Sequence, residues 1–269
     1  VRVAIGIEYD GAAFSGWQVQ LHARSVQGDL QRALARVADH DIRLTAAGRT
    51  DAGVHALRQV AHFDTRSSRS ERAWVLGSNS NSESDVSVLW ARSVPESFHA
   101  RYSAQWRRYV YRIQVWPVRP ALDRNRACWS RKPLDVRLMQ EAARHLLGEH
   151  DFSAFRAAEC QAATAVRNVM AIEVRHKHPF VEIDIQASAF LQHMVRNIAG
   201  SLMTVGSGAR PPGWLAEVLA SRERRVAGVT APAAGLYLVD VGYPDQFNLP
   251  MGPAEPDSIT TCPRGGGGV

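Results

Sequence analysis

An α+β fold is what the 269-residue chain predicts, from three features of its pattern. Short stretches of period-two alternation are interleaved irregularly with helical ones, instead of in strict strand–helix alternation. Several strand-like stretches lie close enough together to pair antiparallel. The two halves of the chain carry a similar mix of elements, meeting near residues 103–108.

Taken in order, Val1, Val3, Ile5 and Ile7 alternate with smaller or polar residues as a strand that runs into the turn Tyr9-Asp10-Gly11. Ser25 is a fitting N-cap for a helix that places Val26, Leu30, Ala33, Leu34 and Val37 on one face. A strand is expected at 42–44, ending at the glycine-bearing stretch 48–53, and another at 59–64. A helix near 71–76, a surface loop at 78–84 and a strand at 86–91 complete the first half. The second half opens with a strand at 108–115. Residues 133–147 read as a helix, with proline in the first turn and Gly148 beyond the end. Strands follow at 169–174 and 180–185, then the strongest helical pattern at 190–205 and a last strand at 236–241. A proline- and glycine-rich tail from about Phe247 is expected to be flexible.

Composition excludes several classes. Hydrophobic residues make up 45% and charged residues 22%, as in an ordinary globular domain. No apolar run approaches the ~18–20 residues a membrane span requires, and the opening VRVAIGIEYDG lacks the pattern of a secretory signal, so a cytoplasmic location is expected. Cys128, Cys160 and Cys262 are too scattered for a disulfide framework or a zinc site. His176 and His178 have no acidic or cysteine partner nearby, so no metal site is expected there. The net charge of +6 suits a polyanionic partner. Nearly all of that basic charge is arginine, Lys132 and Lys177 being the two lysines.

The stretch 47–56, AGRTDAGVHA, has no hydrophobic periodicity, so neither a strand nor a helix face accounts for it. Gly48 and Gly53 bracket Asp51 and permit a tight backbone. Arg49, two residues before Asp51, is expected to keep that carboxylate ionised. An ionised carboxylate in such a loop can act as a nucleophile or a base.

This decapeptide resembles the signature loop of the tRNA pseudouridine synthase A (TruA) family. So, in order, do Glu8-Tyr9-Asp10-Gly11 with Phe14, Gly16-Trp17-Gln18 and Gln20; Ser25-Val26-Gln27; 98–104 (FHARYSA) with 107–111 (RRYVY); 193–198 (HMVRNI); and 235–238 (GLYL). The resemblance covers the chain to about residue 245 and departs from the usual pattern at Ser82-Glu83, before Asp85. It implies a pseudouridine synthase fold built of two RNA-recognition-like α+β halves, 1–104 and 105–246, around a central cleft. It implies Asp51 as the catalytic aspartate and Tyr109 as the aromatic that stacks on the target base. Tyr111, on the same strand face, is the alternative for that role. Arg196 would pair with the carboxylate, and Arg49 would handle the flipped nucleotide. The implied substrate is tRNA, at uridines 38, 39 and 40 of the anticodon arm. A homodimer acting without cofactor or metal is also implied.

Two rival readings start from the same residues. A non-catalytic RNA-binding module would share the basic charge and the α+β pattern. A glycosidase or nucleoside hydrolase would share bond breaking at C1′, but it ordinarily needs a second carboxylate or a metal. Phe14 and Trp17 are expected in the core.

Overall fold

The structure is a computed structural model and describes residues 1–250. Ten strands and five α-helices follow the chain in this order: β1 (Arg2–Tyr9), α1 (Val26–Ala38), β2 (Thr45–Ala46), β3 (His55–Asp64), α2 (Glu71–Ser80), β4 (Val86–Val94), β5 (Trp106–Val115), β6 (Cys128–Ser130), α3 (Val136–Ala143), β7 (Gly148–Asp151), β8 (Val166–Lys177), β9 (Phe180–Ala187), α4 (Met194–Gly206), α5 (Trp214–Ser221) and β10 (Leu236–Gly242). One sheet runs through the molecule in the order β4-β1-β3-β10-β5-β9-β8-β7, with β2 beside β3 and β6 beside β5. Its pairings are antiparallel except β10 with β3 and β5 with β6, so the α+β class holds. The seam between the first-half and second-half strands is that short parallel contact, Tyr237 opposite His55 and Leu238 opposite Ala56. No helix among the described residues is long and apolar enough to cross a membrane.

The period-two pattern divides the sheet into two unlike faces. On β5, Tyr109, Tyr111 and Ile113 join the main core, which also takes in Leu30 and Leu34 of α1, Met139 of α3 and Ile198 and Leu202 of α4. Phe14 and Trp17 are buried in that core. On the other face Val110, Tyr237 and Val239 form a small separate cluster. Ion pairs surround it: Arg108 with Asp184 at 2.6 Å, Arg112 with Glu182 at 3.5 Å and Arg58 with Asp240 at 3.3 Å.

Several boundaries differ from those the sequence predicts, each for a local reason. Residues 42–44 are not ladder-paired; at Leu44 the backbone bonds go to α1 instead, Gln31 accepting from its amide and Gln27 donating to its carbonyl. The strand there is β2, which starts at Thr45. The helix expected from Pro133 starts at Val136, because Asp135 caps it by accepting from the amides of Arg137 and Leu138. Ser78–Ser80 are the last turn of α2 and not a loop, with Asn79 bonded both ways to the Val88 backbone of β4. The helix expected from Phe190 begins only at Met194, since His193 sits at φ 62°, where an α-helix cannot continue. The short β6, β7 and α5 carry too little periodicity to be foreseen. At the expected start of the tail, Phe247 is buried against Phe98 at 5.1 Å between ring centres; residues 251–269 lie outside those described.

Two side chains fix loops to this frame. His62 on β3 accepts the Ala100 amide through Nδ1, holding the turn that carries Arg101. Burial, with the charges of His99 and Arg2, lowers the His62 pKa from the usual 6.5 to about 4. Arg107, at the start of β5, is buried and spans four carbonyls: Ala47 at 3.0 Å, Arg101 at 2.7 Å, Ala104 at 3.2 Å and Ser188 at 2.9 Å.

The folded state therefore resists protonating His62, and the unfolded chain does not. That stability is fully present above pH 6.5 and is lost as pH falls toward 4. Urea titrations between those limits are expected to show the wild type losing stability more steeply than His62→Gln, whose amide oxygen can still accept from Ala100. Arg107→Met leaves buried carbonyls unpaired and is expected to cost about 1–3 kcal/mol by urea denaturation. Arg107→Lys is expected to recover little of it, a point charge being unable to span acceptors on separate segments.

Candidate active site

The stretch 47–54 crosses the sheet's core face as a loop whose backbone is tied down on both sides. The Ala47 amide donates to the Val60 carbonyl, and Gln59 donates to the Gly48 carbonyl at 2.8 Å. Trp17 N–H donates to the Thr50 carbonyl at 3.0 Å, and Gly53 N–H to the Phe14 carbonyl at 3.3 Å. The buried Tyr9 hydroxyl meets Thr50 Oγ1 at 2.8 Å, and burial pushes its pKa up to about 12. Gly16 makes the close approach possible: its φ is 96°, and a Cβ there would stand 2.8 Å from the Thr50 carbonyl. The opening motif thus serves as a cradle for the loop.

Asp51 stands at the top of this loop on the wall of a cleft of about 1030 Å³. Residues 44–52, the turn 189–193 with the start of α4, Tyr109 and Leu236 are among the residues that line the cleft. Arg196 Nη1 donates to Asp51 Oδ2 at 3.2 Å, while its Nε donates to the Ala231 carbonyl at 2.8 Å. That carbonyl is held close because α4 carries Gly200 against the backbone of Val229, where a Cβ would find no room. His193 Nε2 approaches the same carboxylate oxygen to 3.3 Å.

The loop arginine falls elsewhere. Arg49 is exposed at the cleft and has no hydrogen-bond or ion-pair partner among the described residues, so the cation beside Asp51 is Arg196, contrary to the expectation from loop spacing. Tyr109 lines the cleft with its ring edge-on to Phe190, centres 5.0 Å apart. Its hydroxyl pKa is raised by burial first, then by Tyr9 and Asp51, so it stays a neutral phenol. Tyr111 is fully buried and donates to the Pro232 carbonyl, which leaves Tyr109 as the tyrosine of the pair that borders the cleft. Sequence reasoning leaves out Arg101, Arg107, Arg167, Glu159 and His193, all on the lining. Of these, Arg101, Arg107 and His193 sit inside matched motifs, which is the signal that could have found them. Glu159 and Asp51 are the two carboxylates on the lining. Among the described residues no cluster of three or more histidine, cysteine or acidic side chains is arranged to hold a metal.

The sequence model of a family described as tRNA pseudouridine synthase matches residues 5–103 and 142–244. A protein named tRNA pseudouridine synthase A from Coxiella burnetii (strain Dugway 5J108-111) is 53% identical over 255 residues, covering 95% of this chain and 98% of its own. One of the same name from Methylococcus capsulatus is 53% identical over 249 residues, covering 93% and 92%. A third, from Nitrosococcus oceani, is 54% identical over 250 residues, covering 93% and 96%. With a family match over most of its length and relatives at this identity, the chain belongs to the tRNA pseudouridine synthase family.

Proposed function

We propose that the protein isomerises uridine to pseudouridine in the anticodon arm of tRNA, at positions 38, 39 and 40, with Asp51 as its catalytic carboxylate. The observation that carries this reading is Asp51 itself, presented into a large open cleft and paired with a cation through one carboxylate oxygen.

The reaction breaks the bond from C1′ to N1 of uracil and makes one from C1′ to C5. N1 gains a proton and C5 gives one up, so the change is redox-neutral and needs no cofactor. The target must leave its stack to enter the cleft, at a cost of a few kcal/mol. Stacking on Tyr109 returns about 1–3 kcal/mol of that. Arg49, exposed on the cleft lining and without a hydrogen-bond or ion-pair partner among the described residues, takes the role of handling the flipped nucleotide. Arg196 orients Asp51 through its 3.2 Å bond to Oδ2, and the carboxylate acts as nucleophile or base.

The same reading divides the chain into halves 1–104 and 105–246, with the cleft between them. The two matched segments 5–103 and 142–244 support that division. It also takes the enzyme to be a cytoplasmic homodimer with one cleft per subunit.

Tritium release from tRNA labelled at uridine C5 tests the proposal. Wild-type protein is expected to release tritium, and Asp51→Asn to be slower by at least about 10²–10⁴-fold while still binding tRNA. Free uracil among the products would identify a glycosidase, with Glu159 as its second carboxylate. Binding with no release from any tRNA would identify an RNA-binding module.

A further inference from the structure

His193 has a backbone conformation that its place in the helix does not explain. It occupies the N-cap of α4, where the usual residue is extended and turns its side chain back to accept a helix amide. Here φ is 62° and ψ is 2°, and the side chain makes no capping bond. Left-handed backbone is uncommon for any residue with a Cβ. An outlier of this kind at a cleft points to a local task.

The side chain has one. Its Nε2 lies 3.3 Å from Asp51 Oδ2, the same atom that Arg196 approaches to 3.2 Å from one helical turn further on. The three-residue spacing places both groups on one side of α4, so they converge on one oxygen. Oδ1 accepts no hydrogen bond among the described residues, the one to this carboxylate falling on Oδ2. The carboxylate is therefore held from one side and open on the other. Arg196 gives the carboxylate a single hydrogen bond about which it can pivot; an imidazole nitrogen 3.3 Å from the same oxygen narrows that pivot. The positive end of the α4 dipole lies on the same side and adds to the preference for this placement.

We infer that His193 is a positioning residue: together with Arg196 it holds Oδ2 of Asp51, so that Oδ1 is the oxygen turned toward the flipped uridine. The inference rests on the reading of Asp51 as the catalytic carboxylate. Reactive groups must be held closely for an intramolecular step to be fast, and a misplacement of about 1 Å can cost about 100-fold in rate.

Single-turnover tritium release at saturating enzyme, with tRNA affinity measured in parallel, separates the outcomes. His193→Gly removes the imidazole and suits the left-handed backbone, so the variant is expected to fold. Its single-turnover rate is expected to fall about 10–100-fold, with tRNA affinity within about twofold of wild type. His193→Gln places an amide N–H near the former Nε2 and is expected to recover part of the rate over the glycine variant. A glycine variant with wild-type rate would overturn the inference, as would a loss confined to tRNA affinity or a glutamine variant no faster than glycine. Asp51→Asn run alongside keeps the two readings apart. If Asp51→Asn is inactive and His193→Gly is normal, only the positioning role fails; if Asp51→Asn stays active, the catalytic reading fails with it.

Discussion

A guanidinium buried without a carboxylate needs oxygens to receive its donors, and both terminal nitrogens of Arg107 donate to main-chain carbonyls. Its four acceptors come from the loop before Asp51, the turn after Ala100 and the chain leaving β9. Burial pulls its pKa below the usual arginine value, yet arginine remains a cation in any folded protein. A fork of fixed geometry with acceptors on separate segments fixes those segments relative to one another. This bears on the position of Asp51, because β3, the strand that follows its loop, pairs with the second-half strands through a parallel contact of two residue pairs. Such a contact has few hydrogen bonds to resist sliding. Arg107 supplies the missing constraint where the cleft needs it, at Ala47 on one wall and Ser188 on the approach to the other.

The adjacent Arg108 shows how strand geometry turns one dipeptide into two functions. Side chains alternate across a sheet, so Arg107 points to the core face with Tyr109, and Arg108 points to the opposite face. There it meets Asp184 on β9 in a two-bond pairing, within a surface of ion pairs around a small apolar cluster. The helices cover one face and the charges occupy the other. The cleft is lined on the core side of the sheet by Tyr109 and Leu236, together with Gln27 of α1 and Met194 and Val195 of α4.

What the sequence makes legible here is whatever depends on near neighbours. Alternation identifies β1 and β5, Ser25 marks the start of α1, and the absence of periodicity singles out the loop around Asp51. What it hides depends on partners distant in the chain. Gln27 and Gln31 take the Leu44 carbonyl and amide through side-chain bonds that no propensity encodes. The loop arginine looks like the natural partner of Asp51 because it is two residues away; the actual partner is 145 residues away. Local spacing could not have chosen between them, and only the matched motif around Arg196 pointed to it. The left-handed turn at His193 is hidden for a related reason: the apolar stripe continues smoothly through Leu191, Met194 and Val195, so the pattern reads as helix from Phe190 onward.

The separation of the two loop and helix arginines resolves a conflict built into any such site. On the function proposed above, a carboxylate that reacts inside a cationic cleft would risk being covered by the same arginines that attract the nucleic acid. Arg49 and Arg101 are exposed on the lining, where phosphates would pass, and neither forms an ion pair among the described residues. Asp51 instead takes its partners from the start of α4, with Arg196 also held by its Nε bond to the Ala231 carbonyl. Charge used to orient the carboxylate is thereby kept apart from charge available to bind the backbone. The consequence is that salt, which weakens phosphate contacts steeply, acts on the exposed arginines and not on the anchored pair, whose screening is limited by burial. Rising salt should therefore weaken the hold on tRNA well before it disturbs the carboxylate's geometry.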